Sequence, residues 1–231
     1  MTTETPAENA ETKQNNKKRK KTKLEKWFAF LHRAQRVASW GLFPVKKYGH
    51  TEPFNDRSYI IVANHLSVLD VLPAAIATDR PVHFLAKKEL FEKGIGKWFA
   101  NKCECIPVSR DGTDVCAVMQ AMKYLKEGSF VCIFPEGTRN KTGEMFLPFK
   151  SGAAALSIKT KTPIIPVVQV KKIKAFRKMH VYYGEPFELT EFYGKKLTQE
   201  DVEKADEVLF EKFKEFYREL ESLIPKKKKS K

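Results

Sequence analysis

Residues 58–70 read SYIIVANHLSVLD, and their order sets the fold class. The first part, 58–63, is a short apolar run rich in β-branched residues, the pattern of a buried strand. Asn64 and His65 follow it without a spacer, and a helix is expected over 68–78. A strand leading straight into a helix is the building unit of α/β proteins, which expose site residues where strands end. His65 is therefore expected at such an end.

Working outward, the same alternation continues. Strands are expected at 83–86, 105–108, 130–134, 164–170 and 179–183, the fourth interrupted early by Pro166. Helices are expected at 114–126 and 153–159, with Gly128 just past the end of the first as a C-terminal cap. A last helix starts near Thr198, where Thr198 and Asp201 have the spacing of a capping box, and runs to about Leu223. The expected fold is α/β, with a mixed, largely central β-sheet flanked by helices. No internal repeat is present.

Of the 231 residues, 42% are hydrophobic, enough for one sizeable core rather than two full domains. The formal net charge of +15 concerns partners and not fold. Nucleic acid, an anionic membrane surface and an acidic protein are the candidates. Much of the charge sits in lysine-rich stretches, 17–21 and 226–229, either solubilising tails or segments drawn to anionic headgroups. The polar start of the chain gives no expectation of a signal peptide. Cys103, Cys105, Cys116 and Cys132 are expected as reduced thiols, and no metal site is expected because no second Cys or His pair stands at a ligand spacing.

Residues 24–42 form an amphipathic helix when placed at 100° per residue. Leu24, Trp27, Phe30, Leu31, Ala34, Val37, Ala38 and Leu42 share one face, while Phe28 and Trp40 lie off the stripe. The opposite face carries Glu25, Lys26, His32, Arg33 and Arg36. Such a helix either packs on a core or lies in a membrane interface. A bilayer span needs about 20 mostly apolar residues, and His32, Arg33, Gln35 and Arg36 interrupt the best stretch. The expected layout is a disordered basic tail at 1–22, an amphipathic membrane-associating helix at 23–45, a folded body at 46–224 and a basic tail at 225–231.

Four segments carry candidate chemistry. In Asn64–Asp70 the Asp70 carboxylate lies about one helical turn beyond His65 and can fold back onto the imidazole, fixing its tautomer and freeing the other nitrogen as a base. Taken alone, such a pair is more often structural. Phe134-Pro135-Glu136-Gly137-Thr138-Arg139 follows a strand; Arg139 can grip a phosphate with two hydrogen bonds, and Glu136 can orient Arg139 or bind a hydroxyl. The alternative is a solvated polar turn. Val108-Ser109-Arg110 delivers another arginine to a strand end, and Ile164-Ile165-Pro166-Val167-Val168 is a core strand.

Together and in this order, these segments resemble the glycerolipid acyltransferase family, in particular 1-acyl-sn-glycerol-3-phosphate acyltransferases of the bacterial type. The family's histidine-four-residues-aspartate motif is matched at 64–70 and its Phe-Pro-Glu-Gly-Thr-Arg block at 134–139, without change. The segment 148–153 resembles the link between the last two blocks. The resemblance covers roughly residues 48–190 and makes 46–224 an acyltransferase domain.

The resemblance implies acyl transfer from acyl-CoA or acyl-carrier protein to the sn-2 hydroxyl of 1-acylglycerol-3-phosphate, forming phosphatidate, with no cofactor. His65 and Asp70 are then catalytic. Arg110, Glu136, Gly137, Thr138, Arg139 and, more weakly, Lys87 bind substrate. The expected setting is the cytoplasmic face of the cell membrane, peripheral or monotopic, on an anionic surface and without nucleic acid. The rivals are an acyltransferase for another lysophospholipid and a non-enzymatic basic nucleic-acid-binding protein.

Overall fold

A computed structural model describes residues 22–39, 41–109, 114–150 and 152–225. Seven strands form one mixed sheet: β1 (Val45–Gly49), β2 (Ile60–Ala63), β3 (Val82–Lys87), β4 (Ile106–Val108), β5 (Phe130–Ile133), β6 (Ile164–Gln169) and β7 (Met179–Tyr183). Their order is β1-β7-β6-β2-β5-β3-β4. Strands β2 to β6 are mutually parallel; β7 runs antiparallel to β6, and β1 runs parallel to β7. The described helices are α1 (Lys23–Ser39), α2 (Val71–Ala75), α3 (Gly94–Lys102), α4 (Val115–Lys126), α5 (Gly152–Thr160) and α6 (Gln199–Leu223). The α/β expectation holds.

Strands buried on both faces divide their side chains between two helical layers. Ile60, Val62, Val131, Ile133 and Ile164 point to one layer, where they meet Ala121 of α4, Ala153 of α5 and Leu209 and Phe213 of α6. Ile61, Ala63, Phe130, Cys132 and Ile165 point to the other, with Phe28 of α1, Ala74 of α2 and Ala100 of α3. Thr198 and Asp201 form the reciprocal capping box expected at the start of α6. Pro166 sits inside the sheet without breaking it: the ladder to β7 begins one residue later, at Val167, and the Pro166 carbonyl still accepts from Gly184 N–H (2.9 Å). A Cβ on Gly184 would come 2.4 Å from the Pro166 ring, so only glycine fits there.

Several boundaries differ from the sequence reading. The helix expected over 68–78 is a 3-10 turn at Val68–Asp70 followed by the short α2. It stops early because the Ala77 carbonyl accepts Phe54 N–H (2.8 Å) and the Thr78 hydroxyl binds Asn55 (2.9 Å), which pulls the chain away. β1 begins at Val45, inside the segment assigned to the amphipathic helix. Phe28, placed off the apolar stripe, is buried at the centre of the α1 contact, while Phe30 and Val37 face outward. The apolar arc of α1 is wider than one packing face, and the body takes the side centred on Phe28. Trp40 lies outside the described residues.

Burial pushes the Cys103 thiol up to about 11 and Cys105 up to about 12, which suits inert core thiols. His83 is buried in β3, with its ring stacked on Tyr124 (centroids 3.5 Å apart) and Nδ1–H donating to the Glu104 carbonyl (3.0 Å). Burial holds His83 below the ordinary imidazole value of 6.5. It is neutral in the fold, whereas the unfolded chain takes up a proton below that pH. The stability His83 contributes is therefore present above pH 6.5 and lost as pH falls. Urea midpoints measured at pH about 7.5 and about 5.5 are expected to drop less in His83→Gln than in wild type.

Candidate active site

The chain leaving β2 heads for β3 on one side of the sheet, while that leaving β6 heads for β7 on the other. The C-terminal ends of β2 and β6 thus flank a topological switch point, where α/β folds place their ligands. His65 lies two residues beyond β2 at this edge. Asn64 closes the gap to β6: its side chain donates to the Gln169 carbonyl (2.8 Å) and accepts Gln169 N–H (2.9 Å), extending the ladder after the β2 backbone has turned away.

The turn after His65 is built around Asp70, which is fully buried. Asp70 Oδ2 accepts from the N–H groups of Leu66 (2.5 Å) and Ser67 (2.6 Å) and lies 3.0 Å from His65 Nδ1. Asp70 Oδ1 accepts the Ser67 hydroxyl (2.9 Å), which in turn accepts Leu69 N–H (3.1 Å). This capping box fixes the carboxylate from several directions before the histidine is considered. It also occupies Ser67 Oγ, so that hydroxyl is not presented as a nucleophile. The carboxylate can only accept, so Nδ1 carries the imidazole proton and Nε2 is left as the free base. The ring packs against Phe134 (centroids 4.3 Å apart, 23° between planes), and the side chain remains partly exposed.

The Phe-Pro-Glu-Gly-Thr-Arg block leaves β5, the neighbour of β2, at the same edge. Glu136 is buried, and its two oxygens accept the backbone N–H groups of His65 (2.7 Å) and Leu147 (2.9 Å). Burial pushes this carboxyl above its ordinary range, and the two N–H donors pull it part of the way back. The Glu136 carboxylate thus clasps the backbone of the histidine motif to the loop ahead of α5. Asn140 adds a second tie, its N–H donating to the His65 carbonyl (2.6 Å). The side chain of Asn140 is buried in a turn, bound to Thr142 N–H and hydroxyl and to the Glu144 carbonyl.

Gly137 has φ of +63°, and a Cβ there would meet the Lys150 side chain at 3.1 Å. Lys150 is held over the glycine by its own N–H, which donates to the Pro135 carbonyl (2.8 Å). Thr138, Arg139 and Lys150 are exposed on this loop. Lys87 is exposed at the end of β3, two strands and about 10 Å from β2. Arg110 lies outside the described residues. Sequence reasoning did not single out Asn64, Asn140 and Lys150 as site residues; the only signal was that Asn64 and Lys150 lie inside motif segments and that Asn140 directly follows one.

The geometry presents an oriented imidazole base beside a rim of exposed cations. The family model described as Acyltransferase matches residues 44–170, more than half of the chain and the whole of this site. The chain belongs to the Acyltransferase family. This acyltransferase is 30% identical to a 1-acyl-sn-glycerol-3-phosphate acyltransferase of Bacillus subtilis (strain 168), over 78% of its own length and 91% of the relative's. It is 26% identical to the Streptococcus pneumoniae protein of the same name, over 82% and 72% of the two chains. Its fold matches the crystal structure of the 1-acyl-sn-glycerophosphate (LPA) acyltransferase PlsC from Thermotoga maritima, with a TM-score of 0.59 and 26% identity over 90% of this chain and 80% of that one.

Proposed function

We propose that this acyltransferase moves a fatty acyl group from a thioester donor, acyl-CoA or acyl-carrier protein, to the sn-2 hydroxyl of 1-acylglycerol-3-phosphate, forming phosphatidate. The observation that carries this reading is the His65–Asp70 pair with Nε2 free at the switch point. In the proposed step, Nε2 takes the hydroxyl proton while the hydroxyl oxygen attacks the thioester carbonyl carbon. Asp70 stabilises the imidazolium that forms. The tetrahedral intermediate collapses with loss of the C–S bond, and the proton on His65 passes to the departing thiolate. No acyl-enzyme is required.

Arg139, Lys150 and Thr138, with Lys87 farther out, supply the phosphate side of the pocket, and Arg110 is proposed to bind the same phosphate. An apolar cavity of about 240 Å³ lies between α1, α2 and α3, lined by Phe28, Leu31, Val71, Leu72, Phe84 and Phe99 among others. Val71 and Leu72 directly follow Asp70, so a hydrocarbon chain entering this cavity keeps its polar end near the histidine. Among the described residues no helix is long and apolar enough to cross a membrane. The acyltransferase is proposed to work from the cytoplasmic face of the cell membrane, through the outward apolar side of α1 and the basic surface.

The test is acyl transfer from labelled palmitoyl-CoA or palmitoyl-carrier protein to lysophosphatidate in mixed micelles. Phosphatidate is the expected product. Arg139→Ala is expected to raise the KM for lysophosphatidate by about 10–100-fold, the cost of losing a charge-assisted phosphate contact. No product from either donor overturns the reading. An equal rate with lysophosphatidylcholine would show that the rim does not select a phosphomonoester.

A further inference from the structure

The sheet edge that bears His65 also bears four large apolar side chains left in solvent, Leu42, Val68, Ile95 and Phe176. β6 ends there, and residues 170–178 turn the chain back into β7. β1 starts beside β7, with Val45 opposite Met179, so the segment leaving α1 reaches the same edge. Two backbone bonds join these segments: Phe176 N–H donates to the Leu42 carbonyl and Met179 N–H to the Pro44 carbonyl, both at 2.7 Å. On the other flank β3 ends at this edge, and the 3-10 turn Lys88–Phe91 leads to the start of α3.

Phe176 is 79% exposed and has φ of +60°. A bulky side chain is disfavoured in the left-handed region, and here no burial offsets the cost. Ile173 is buried and roots the hairpin, which keeps the aromatic ring outside. Around it stand Lys171, Lys172, Lys174, Arg177 and Lys178, and no acidic residue lies in 171–178. Leu42 is exposed beside the hairpin. Val68, in the turn between His65 and Asp70, is 66% exposed, and Ile95, at the start of α3 between Lys93 and Lys97, is 85% exposed. Scattered surface apolar residues need no explanation, but this set gathers on one edge among cations. An aromatic tip ringed by lysine and arginine has the chemistry of an insertion into an anionic lipid interface.

We infer that the β6–β7 hairpin, with Phe176 at its tip, is an anchor that inserts into an anionic phospholipid surface beside the catalytic edge. The inference rests on the proposed action upon a membrane-embedded lipid. Ile95 and Val68 meet the same surface from the opposite flank, so the edge as a whole faces the bilayer. A lysolipid then reaches His65 by rising a short way out of the interface, with its chains still in hydrocarbon.

The test is flotation of the full chain with vesicles of phosphatidylcholine alone and of phosphatidylcholine mixed with phosphatidylglycerol. Wild type is expected to float with the mixed vesicles, less so as salt rises. Phe176→Asp and the double variant Lys174→Glu/Lys178→Glu are each expected to weaken that binding by about tenfold or more. Aspartate tolerates the left-handed conformation better than phenylalanine, so the first variant should remain folded. Both variants are expected to keep wild-type acyl transfer in detergent micelles. Undiminished vesicle binding in both variants overturns the anchor while leaving α1 as the attachment. Equal binding of wild type to the two vesicle kinds overturns its anionic partner. Failure of wild type to bind either overturns membrane attachment and the anchor together. Loss of micellar activity in wild type is a separate result and overturns the proposed reaction.

Discussion

His65→Ala is expected to lower kcat by about 10²–10⁴-fold, the span that general-base catalysis supplies. The change removes the nitrogen that takes the hydroxyl proton and leaves the rest of the site standing. Asp70 keeps its bonds to Leu66, Ser67 N–H and Ser67 Oγ, so the turn is held without the imidazole. The His65 backbone keeps its ties to Glu136 and Asn140, which do not involve the ring. The variant should therefore fold, with a urea midpoint close to wild type, and should still bind lysophosphatidate. Steady-state assays in mixed micelles, with folding checked by circular dichroism, provide the measurement. A folded His65→Ala protein retaining more than about a tenth of wild-type kcat would remove the histidine from the role of base.

That histidine was legible in the sequence because its chemistry is local. The His65–Asp70 contact spans one turn, and the strand before it announces itself by composition. The same locality made the cap of α6 and the strand at Met179–Tyr183 readable. What escaped is non-local. β1 has the sequence Val-Lys-Lys-Tyr-Gly, with two lysines and a glycine among its residues, and is a strand only because β7 offers it a partner. α3 opens with Gly-Ile-Gly, which weakens any helical pattern, yet it packs Ala100 into the core between β3 and β4. Phe28 was misplaced because an apolar arc wider than one face does not reveal which side the body will take. Lys150 entered the rim only once the chain folded back over Gly137. Glu136 is the sharpest case: its partners lie 71 and 11 residues away, and its role depends on β5 being the neighbour of β2.

The consequence for Glu136 is a second large effect. Glu136→Gln is expected to lower kcat by about 10²-fold with little change in the KM for lysophosphatidate. Both carboxylate oxygens accept a backbone N–H, one from the base itself and one from Leu147. A glutamine of the same shape keeps one acceptor and turns an NH₂ group toward the other donor, which loses a hydrogen bond and sets two donors against each other in a buried site. The backbone at His65 or at Leu147 must shift to relieve this, and a displacement of about 1 Å of a catalytic group costs about 10²-fold. Stability should fall too, by about 1–3 kcal/mol for the buried N–H left without its acceptor. Glu136→Ala deprives both N–H groups and should cost more, measured as a lower urea midpoint. The kinetic pattern separates the clasp from a direct contact. A carboxylate that bound the acceptor hydroxyl or oriented Arg139 would show its loss mainly in KM, as Arg139→Ala is expected to do. A carboxylate that holds the base in place shows it in kcat. A Glu136→Gln protein with raised KM and wild-type kcat would return Glu136 to the substrate pocket and leave His65 to be positioned by Asp70 and Asn140 alone.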